Sequence, residues 1–351
     1  MKKILLSLSL LSSFTFGDVI INPPFVRAKG MAEAFTSIGG DGSAIYYNPA
    51  TLVNLGLEKD MGFFSFSIGN RDYIDAKEGG IKEGSKAVFF GLGASRKTIG
   101  FSLAFYSLSE ITYMCNANAQ YSYCKQYTSV FQIGAGFELF SIERTGTALS
   151  IGLSGFSLVS RYDEYYDEDN DGEYELINEE VDLKSNIGGS FGVYVRLFES
   201  ERLALDMGAS YRTKLDVYEE TYYGEKKQTF FDMPPALFYG VSAKILLPFA
   251  YLIVSYDEHE TYYSEMDYKI LGDSKRKSLG LEIAFERFAI RGGMFKEDFE
   301  NTLLDSKGYT FGFSIRISKF IFSGAWEFRK TDLGEDSFNT TSYYGSLDLQ
   351  F

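Results

Sequence analysis

The sequence predicts an all-β chain, a 14-stranded antiparallel transmembrane β-barrel whose N-terminal segment sits in the lumen. Three observations carry this reading: apolar and polar residues alternate with period two, long and short connections alternate, and aromatic residues gather at strand ends. The alternation is plain in 307–318, where Tyr309, Phe311, Phe313, Ile315 and Ile317 interleave with Thr310, Gly312, Ser314, Arg316 and Ser318. "SFGVYVRLF" repeats it with Phe191, Val193, Val195 and Leu197 against Gly192, Tyr194 and Arg196, and the C-terminal "YYGSLDLQF" does so with Tyr343, Gly345, Leu347, Leu349 and Phe351. Successive side chains of a strand point to opposite faces, so this pattern marks strands between two unlike environments.

Connection lengths separate a membrane barrel from a soluble sandwich. Strands are expected near 61–71, 85–94, 98–114, 125–141, 147–162, 181–198, 201–217, 229–246, 249–262, 275–286, 288–296, 307–318, 320–330 and 342–351. Long connections fall at 72–84, 115–124, 163–180, 218–228, 263–274, 297–306 and 331–341. Between them lie the turns "SRKT", "IERTG", "ESE", "LPF", "ER" and "SK". Long loops on one side, short turns on the other and an even strand count describe an outer-membrane barrel with both termini in the periplasm. Tyr73, Tyr113, Tyr162, Tyr222, Tyr223, Tyr262 and Tyr343 fall where strands should meet the outer surface, and Phe140, Phe198, Phe249, Phe288 and Phe320 beside the short turns. Two such belts bracket the apolar band of a bilayer. Lipid offers no hydrogen bonds, so the sheet must close on itself. Phe351, with apolar partners at every second position before it, reads as the C-terminal signal for the outer-membrane assembly machinery.

The start of the chain sets the compartment. Residues 1–17 combine "MKK", the apolar run "ILLSLSLLSSFTF" and small residues around Gly17, the three-part pattern of a secretory signal peptide. Later in the chain no uninterrupted apolar stretch approaches the ~20 residues of a helical span. The 351 residues are 17% aromatic and carry a formal charge of -14. So acidic a chain repels phosphate backbones, which argues against nucleic acid as a partner. Outer-membrane lipid is the expected surroundings.

Residues 18–59 precede the barrel, 60–351. Their core, "RAKGMAEAFTSIGGDGSAIYYNPATL", is rich in small residues and interrupts strand alternation. A lumen ringed by fourteen strands is too wide for wall side chains alone to fill. This segment suits a compact plug, with a short helix expected at Ala32–Phe35, and Pro49 ending regular structure. Asn48 is expected to anchor its turn through backbone hydrogen bonds.

This stretch resembles the N-terminal signature of FadL/TodX-type outer-membrane transporters and the related PorV-type barrels. Arg27, Ala28, Gly30, Met31, Ala34, Phe35, Asp41, Ser43, Ala44, Asn48, Pro49, Ala50 and Leu52 carry the resemblance, with departures at Glu33, Gly39 and Thr51. "DMPPALFYGVSAKI" and "SLGLEIAFERFAIRGGMF" are similar to two further segments of these proteins. The resemblance implies a fourteen-stranded barrel whose N-terminal hatch includes Arg27, Gly30, Asp41, Ser43, Asn48, Pro49 and Ala50. It also implies transport of hydrophobic, fatty-acid-like molecules or, in the PorV branch, handling of a secreted cargo protein. A greasy inward patch beside the hatch would favour the former.

Three local features remain. His259 lies two residues from Asp257 and so on the same strand face. No activated nucleophile accompanies the pair, and the chain is read as a non-enzyme with a histidine at the loop rim. "DEYYDEDNDGEYELINEE" reproduces the opening of a calcium loop at Asp167, Asp169 and Asp171, with Asn178 where the closing glutamate should stand. Calcium in an extracellular loop is therefore weighed against a merely solvated acidic loop, and no cofactor is required. Cys115 and Cys124 flank the second long loop, and an exported chain with two cysteines is expected to oxidise them to a disulfide.

Overall fold

The computed structural model describes residues 23–55, 61–75, 80–96, 98–113, 122–166, 175–215, 217–220, 226–228, 233–265, 272–300, 304–333 and 336–351. The signal segment, Cys115 and the calcium candidates Asp167, Asp169 and Asp171 lie outside these residues.

The strands are β1 (Met61–Asp75), β2 (Gly80–Arg96), β3 (Ile99–Tyr113), β4 (Ser122–Ile142), β5 (Thr147–Tyr166) and β6 (Glu175–Ser185). They continue with β7 (Gly188–Glu199), β8 (Leu203–Arg212), β9 (Val217–Glu220), β10 (Lys226–Gln228), β11 (Ala236–Leu246) and β12 (Ala250–Thr261). The last are β13 (Ser274–Phe285), β14 (Phe288–Phe299), β15 (Leu304–Ile317), β16 (Phe320–Leu333) and β17 (Asp336–Gln350). β6 with β7, β8 with β9 and β10 with β11 each form one barrel strand, so the seventeen segments make fourteen. Pro234-Pro235 explains the last of these breaks, since proline has no N–H for the ladder. Neighbours pair antiparallel, and β17 returns to β1 from Gln350↔Phe63 to Tyr343↔Asn70. Phe351 completes the seam: its N–H donates to Gly62 O at 3.0 Å, and Gly62 N–H donates to Phe351 O at 2.7 Å.

The two faces sort as the alternation requires. Tyr309, Phe311, Ile315 and Ile317 are exposed on the outer wall, while Thr310 and Ser314 are buried inside. Phe140, Phe198, Phe249, Phe288 and Phe320 are exposed beside the short turns. At the opposite end the strands outrun the sequence expectation. Much of 163–180 is strand, since β5 reaches Tyr166 and β6 starts at Glu175. β17 likewise begins at Asp336, which puts Tyr343 in mid-wall rather than at the rim. Apolar alternation marks only the part of a strand facing lipid, so polar extensions beyond it escape such a reading.

Candidate functional site

The lumen is occupied by residues 23–55. They form α1 (Val26–Gly30), α2 (Ala44–Tyr47) and a 3-10 helix (Pro49–Asn54). The helix expected at Ala32–Phe35 is absent. The backbone turns left-handed at Ala32 (φ 54°) and Glu33 (φ 68°), which stops α1. Glu33 N–H then returns to Ala28 O at 2.7 Å.

Asn48 pins the middle of the segment. Its Oδ1 accepts from Ala50 N–H at 3.0 Å, and its Nδ2 donates to Thr36 O and Val193 O, each at 3.0 Å. Pro49 does not end regular structure as expected: it opens the 3-10 helix, in whose first turn no N–H is needed. This helix rests on a row of wall glycines that pair directly across four strands: Gly100↔Gly136, Gly136↔Gly152 and Gly152↔Gly192. A Cβ at Gly100 would lie 2.0 Å from Leu52 O, at Gly152 2.2 Å from Ala50 N, and at Gly192 2.1 Å from Asn48 Oδ1. Only glycine permits so close an approach. Other insert carbonyls accept from the wall: Tyr47 O from Ser210 Oγ at 2.6 Å, and Ile45 O from Gln132 Nε2 at 2.9 Å.

The opposite wall holds α1 by charge. Arg27 donates to Glu282 through Nε (3.0 Å) and Nη2 (2.9 Å), and to Gly39 O through Nη1 (3.0 Å). Arg291 binds the same carboxylate and also donates to Ser314 Oγ at 2.6 Å. Burial disfavours the Arg27 charge, but Glu282 overrides this and holds the guanidinium above its ordinary value. Gly30 faces Gly312, and Gly30 O accepts from Thr310 Oγ1 at 3.1 Å. A second ionic group joins Lys29 to Glu33, Arg276 to Glu33 (3.4 Å) and Lys29 to Glu327 (3.8 Å). Burial pushes the Glu33 carboxyl up, yet Arg276 and Lys29 hold it well below the usual carboxylate range. Asp41 accepts from Ser43 N–H at 2.9 Å and approaches Arg27 Nη1 at 3.6 Å.

His259 is not at the loop rim. It is buried on the lumen face against Phe238, with ring centroids 4.9 Å apart, and 3.7 Å from Asp257. Asp257 in turn accepts from Phe35 N–H (2.9 Å) and Thr36 N–H (2.5 Å), so the pair braces the insert. Sequence reading missed Glu282 and the glycine row, and it paired Asp257 with His259 without its role in holding the insert; single glycines at inward positions of successive strands were the available signal.

The insert divides the lumen. Towards the short turns lies a cavity of about 440 Å³ lined by charged groups, including Arg27, Asp41, Arg196, Lys244, Arg316 and Asp348. Towards the long loops one arc of the wall is apolar, opposite the charged Arg276 and Glu327: Tyr106, Leu108, Phe156, Leu158 and Phe238 are buried and join Phe25, Phe89, Tyr46 and Tyr47 in one cluster. Arg212 enters this cluster, its guanidinium 5.2 Å from the Tyr46 ring centre and 5.4 Å from that of Phe238.

A closed fourteen-stranded antiparallel barrel with its own N-terminal chain packed inside defines the class: the fold of the FadL-type outer-membrane transporters. The solved structures it is similar to include a Pseudomonas aeruginosa FadL homologue, with 11% identity, 95% of this chain and 99% of that one covered, and TM-score 0.64. The CymD monoaromatic hydrocarbon channel shares 12% identity over 97% of this chain and 99% of its own, with TM-score 0.61. The P. putida toluene transporter TodX shares 12% over 92% and 98%, with TM-score 0.55. No protein-family model and no curated protein matches the sequence.

Proposed function

We propose that the protein passes hydrophobic small molecules of the fatty-acid type across an outer membrane, with residues 23–55 as the hatch of that path. The observation that carries this reading is Arg212. It is 3% exposed within the aromatic cluster, and its Nε and Nη1 have no hydrogen-bond partner among the described residues. The Tyr46 and Phe238 rings answer this cation only in part, and a carboxylate with a hydrocarbon tail would match both its two unfilled N–H groups and the apolar surroundings. The apolar arc on the long-loop side supports entry from outside, and the charged cavity beyond the insert supports release into water. The likeness to CymD, a monoaromatic hydrocarbon channel, and to TodX, a toluene transporter, supports a hydrophobic substrate.

Uptake of a labelled long-chain fatty acid by cells carrying the protein tests this reading. Saturable uptake is expected, and Arg212→Gln should raise the half-saturating concentration at least tenfold, as loss of a charged hydrogen bond worth about 1.5–3 kcal/mol requires. Uptake of toluene, which has no charge to recognise, should be unchanged by the substitution. Absence of saturable uptake by the intact protein would overturn the proposal in favour of a PorV-type role with a secreted cargo protein.

A further inference from the structure

The outer wall carries a feature independent of the lumen. Lys277, Lys296, Lys307 and Lys330 stand directly opposite one another on β13, β14, β15 and β16, paired as Lys277↔Lys296, Lys296↔Lys307 and Lys307↔Lys330. Like charges directly opposite in a sheet destabilise it, so an unbroken rung of four in a chain of net charge -14 needs an external counter-charge. The neighbouring acids answer it only in part. Lys296 pairs with Asp298 at 2.5 Å and Lys330 with Asp332 at 3.2 Å. Lys277 and Lys307 have no ion pair among the described residues, and Glu258, opposite Lys277, is held by Lys275 at 2.6 Å. Asp298, Asp305 and Asp332 form the next rung outward.

On the other side of the lysines the next rung is Leu279, Met294, Tyr309 and Phe328, paired in the same order and all exposed. With the lysines it lines a groove of about 630 Å³. Lys277 is eight residues from Phe285 at the short turn. At ~3.4 Å per residue and a tilt near 40° that is roughly 21 Å of wall height, close to the top of the ~25 Å apolar band. The lysine rung therefore meets the bilayer where lipid phosphates lie, on the long-loop side. Four strands at ~4.8 Å spacing make it about 14 Å wide, which accommodates more than one phosphate.

We propose that this rung and the apolar rung beneath it bind a phosphorylated glycolipid of the outer leaflet, phosphates on the lysines and acyl chains along Leu279, Met294, Tyr309 and Phe328. Purified protein in nanodiscs of zwitterionic phospholipid is titrated with bisphosphorylated lipid A and with its dephosphorylated form. The phosphorylated lipid should bind at least tenfold more tightly. Lys277→Gln/Lys307→Gln should abolish most of that difference while heat-modifiable migration still reports a closed barrel. Arg287→Gln/Lys319→Gln, which removes two charges at the short turns, should leave it intact, and excess inorganic phosphate should not displace the lipid. Equal binding of the two lipids by the unsubstituted protein overturns the proposal. So does an equal loss in the short-turn variant, which would show an effect of net charge, or full displacement by inorganic phosphate, which would show an anion site alone.

Discussion

Along β3–β7 the insert meets the wall backbone against backbone; along β13–β16 it does so too, at Gly280, Gly293 and Gly312, but buried ion pairs are added to these contacts. On the first side the 3-10 helix sits on Gly100, Gly136, Gly152 and Gly192, and its contacts need no ionised group. On the second, Arg27 and Lys29 reach Glu282 and Glu327 across more than two hundred residues of sequence. The two attachments fail for different reasons. Close steric fit is lost by adding volume, and a buried ion pair by removing one partner. A hatch that moves would be expected to hinge on the glycine side and release on the ionic side, because ion pairs have two well-defined states and a packed backbone contact does not.

The largest effect is expected from the ionic wall. Glu282→Ala leaves Arg291 buried and Arg27 half-buried without their carboxylate, which should weaken docking of α1 by about 3 kcal/mol. Planar-bilayer conductance should show long open events against a closed unsubstituted barrel. Replacing the group, as Arg27→Met/Glu282→Leu/Arg291→Met, should largely restore closure, because only Asp41, at the cavity edge and still held by Ser43, then loses a charged partner. If the triple variant conducts as Glu282→Ala does, packing rather than charge holds this side.

The glycine wall should give the next effect. Gly152→Ala places a Cβ against the Pro49–Ala50 peptide, and overpacking of this kind costs about 1–3 kcal/mol. The resulting conductance should be smaller than that of Glu282→Ala and insensitive to salt and to pH between 4 and 8. A salt-dependent opening in this variant would mean that the two attachments yield together and the distinction between them is lost.

These two walls also separate what the sequence reveals from what it conceals. Alternation in single segments such as 307–318 is enough to find strands, because each strand records its two environments locally. The count of fourteen follows from sorted loop lengths, and the Phe belt from the short turns. The glycine row cannot be read in that way: Gly100, Gly136, Gly152 and Gly192 become neighbours only once the registers of β3, β4, β5 and β7 are fixed. Glu282 is likewise one carboxylate among many until β13 is placed beside Arg27. Ala32 and Glu33 misled because tertiary contacts override local propensity. Their helix propensity is good, and the left-handed turn they adopt, at a cost of roughly 1–2 kcal/mol each, is set by the tertiary position of Glu33 between Lys29 and Arg276. His259 misled because the position of a residue along a strand says nothing of what packs on it from inside.

The smallest expected effect, and the one that sharpens the comparison most, is that of acid. The Glu33 carboxyl lies well below its ordinary value: burial raises it, and the opposing pull of Arg276 and Lys29 is larger. A carboxylate whose folded value is depressed contributes stability that is complete above its unfolded value, near ~4.3, and is lost as pH falls through the folded value. Between pH 8 and 5 the unsubstituted barrel should therefore stay closed without measurable change. Conductance should appear only in strongly acidic solution, and from the α1 side. Gly152→Ala provides the control, since its steric opening adds the same increment at every pH. Glu33→Gln should reduce the acid-dependent onset without removing it, opening the ionic side modestly at all pH values, since Glu282 still holds Arg27 and Glu327 still answers Lys29. An onset near pH 6 in the unsubstituted protein would show that some other group governs the ionic wall, and that Glu33 is not the carboxylate on which it turns.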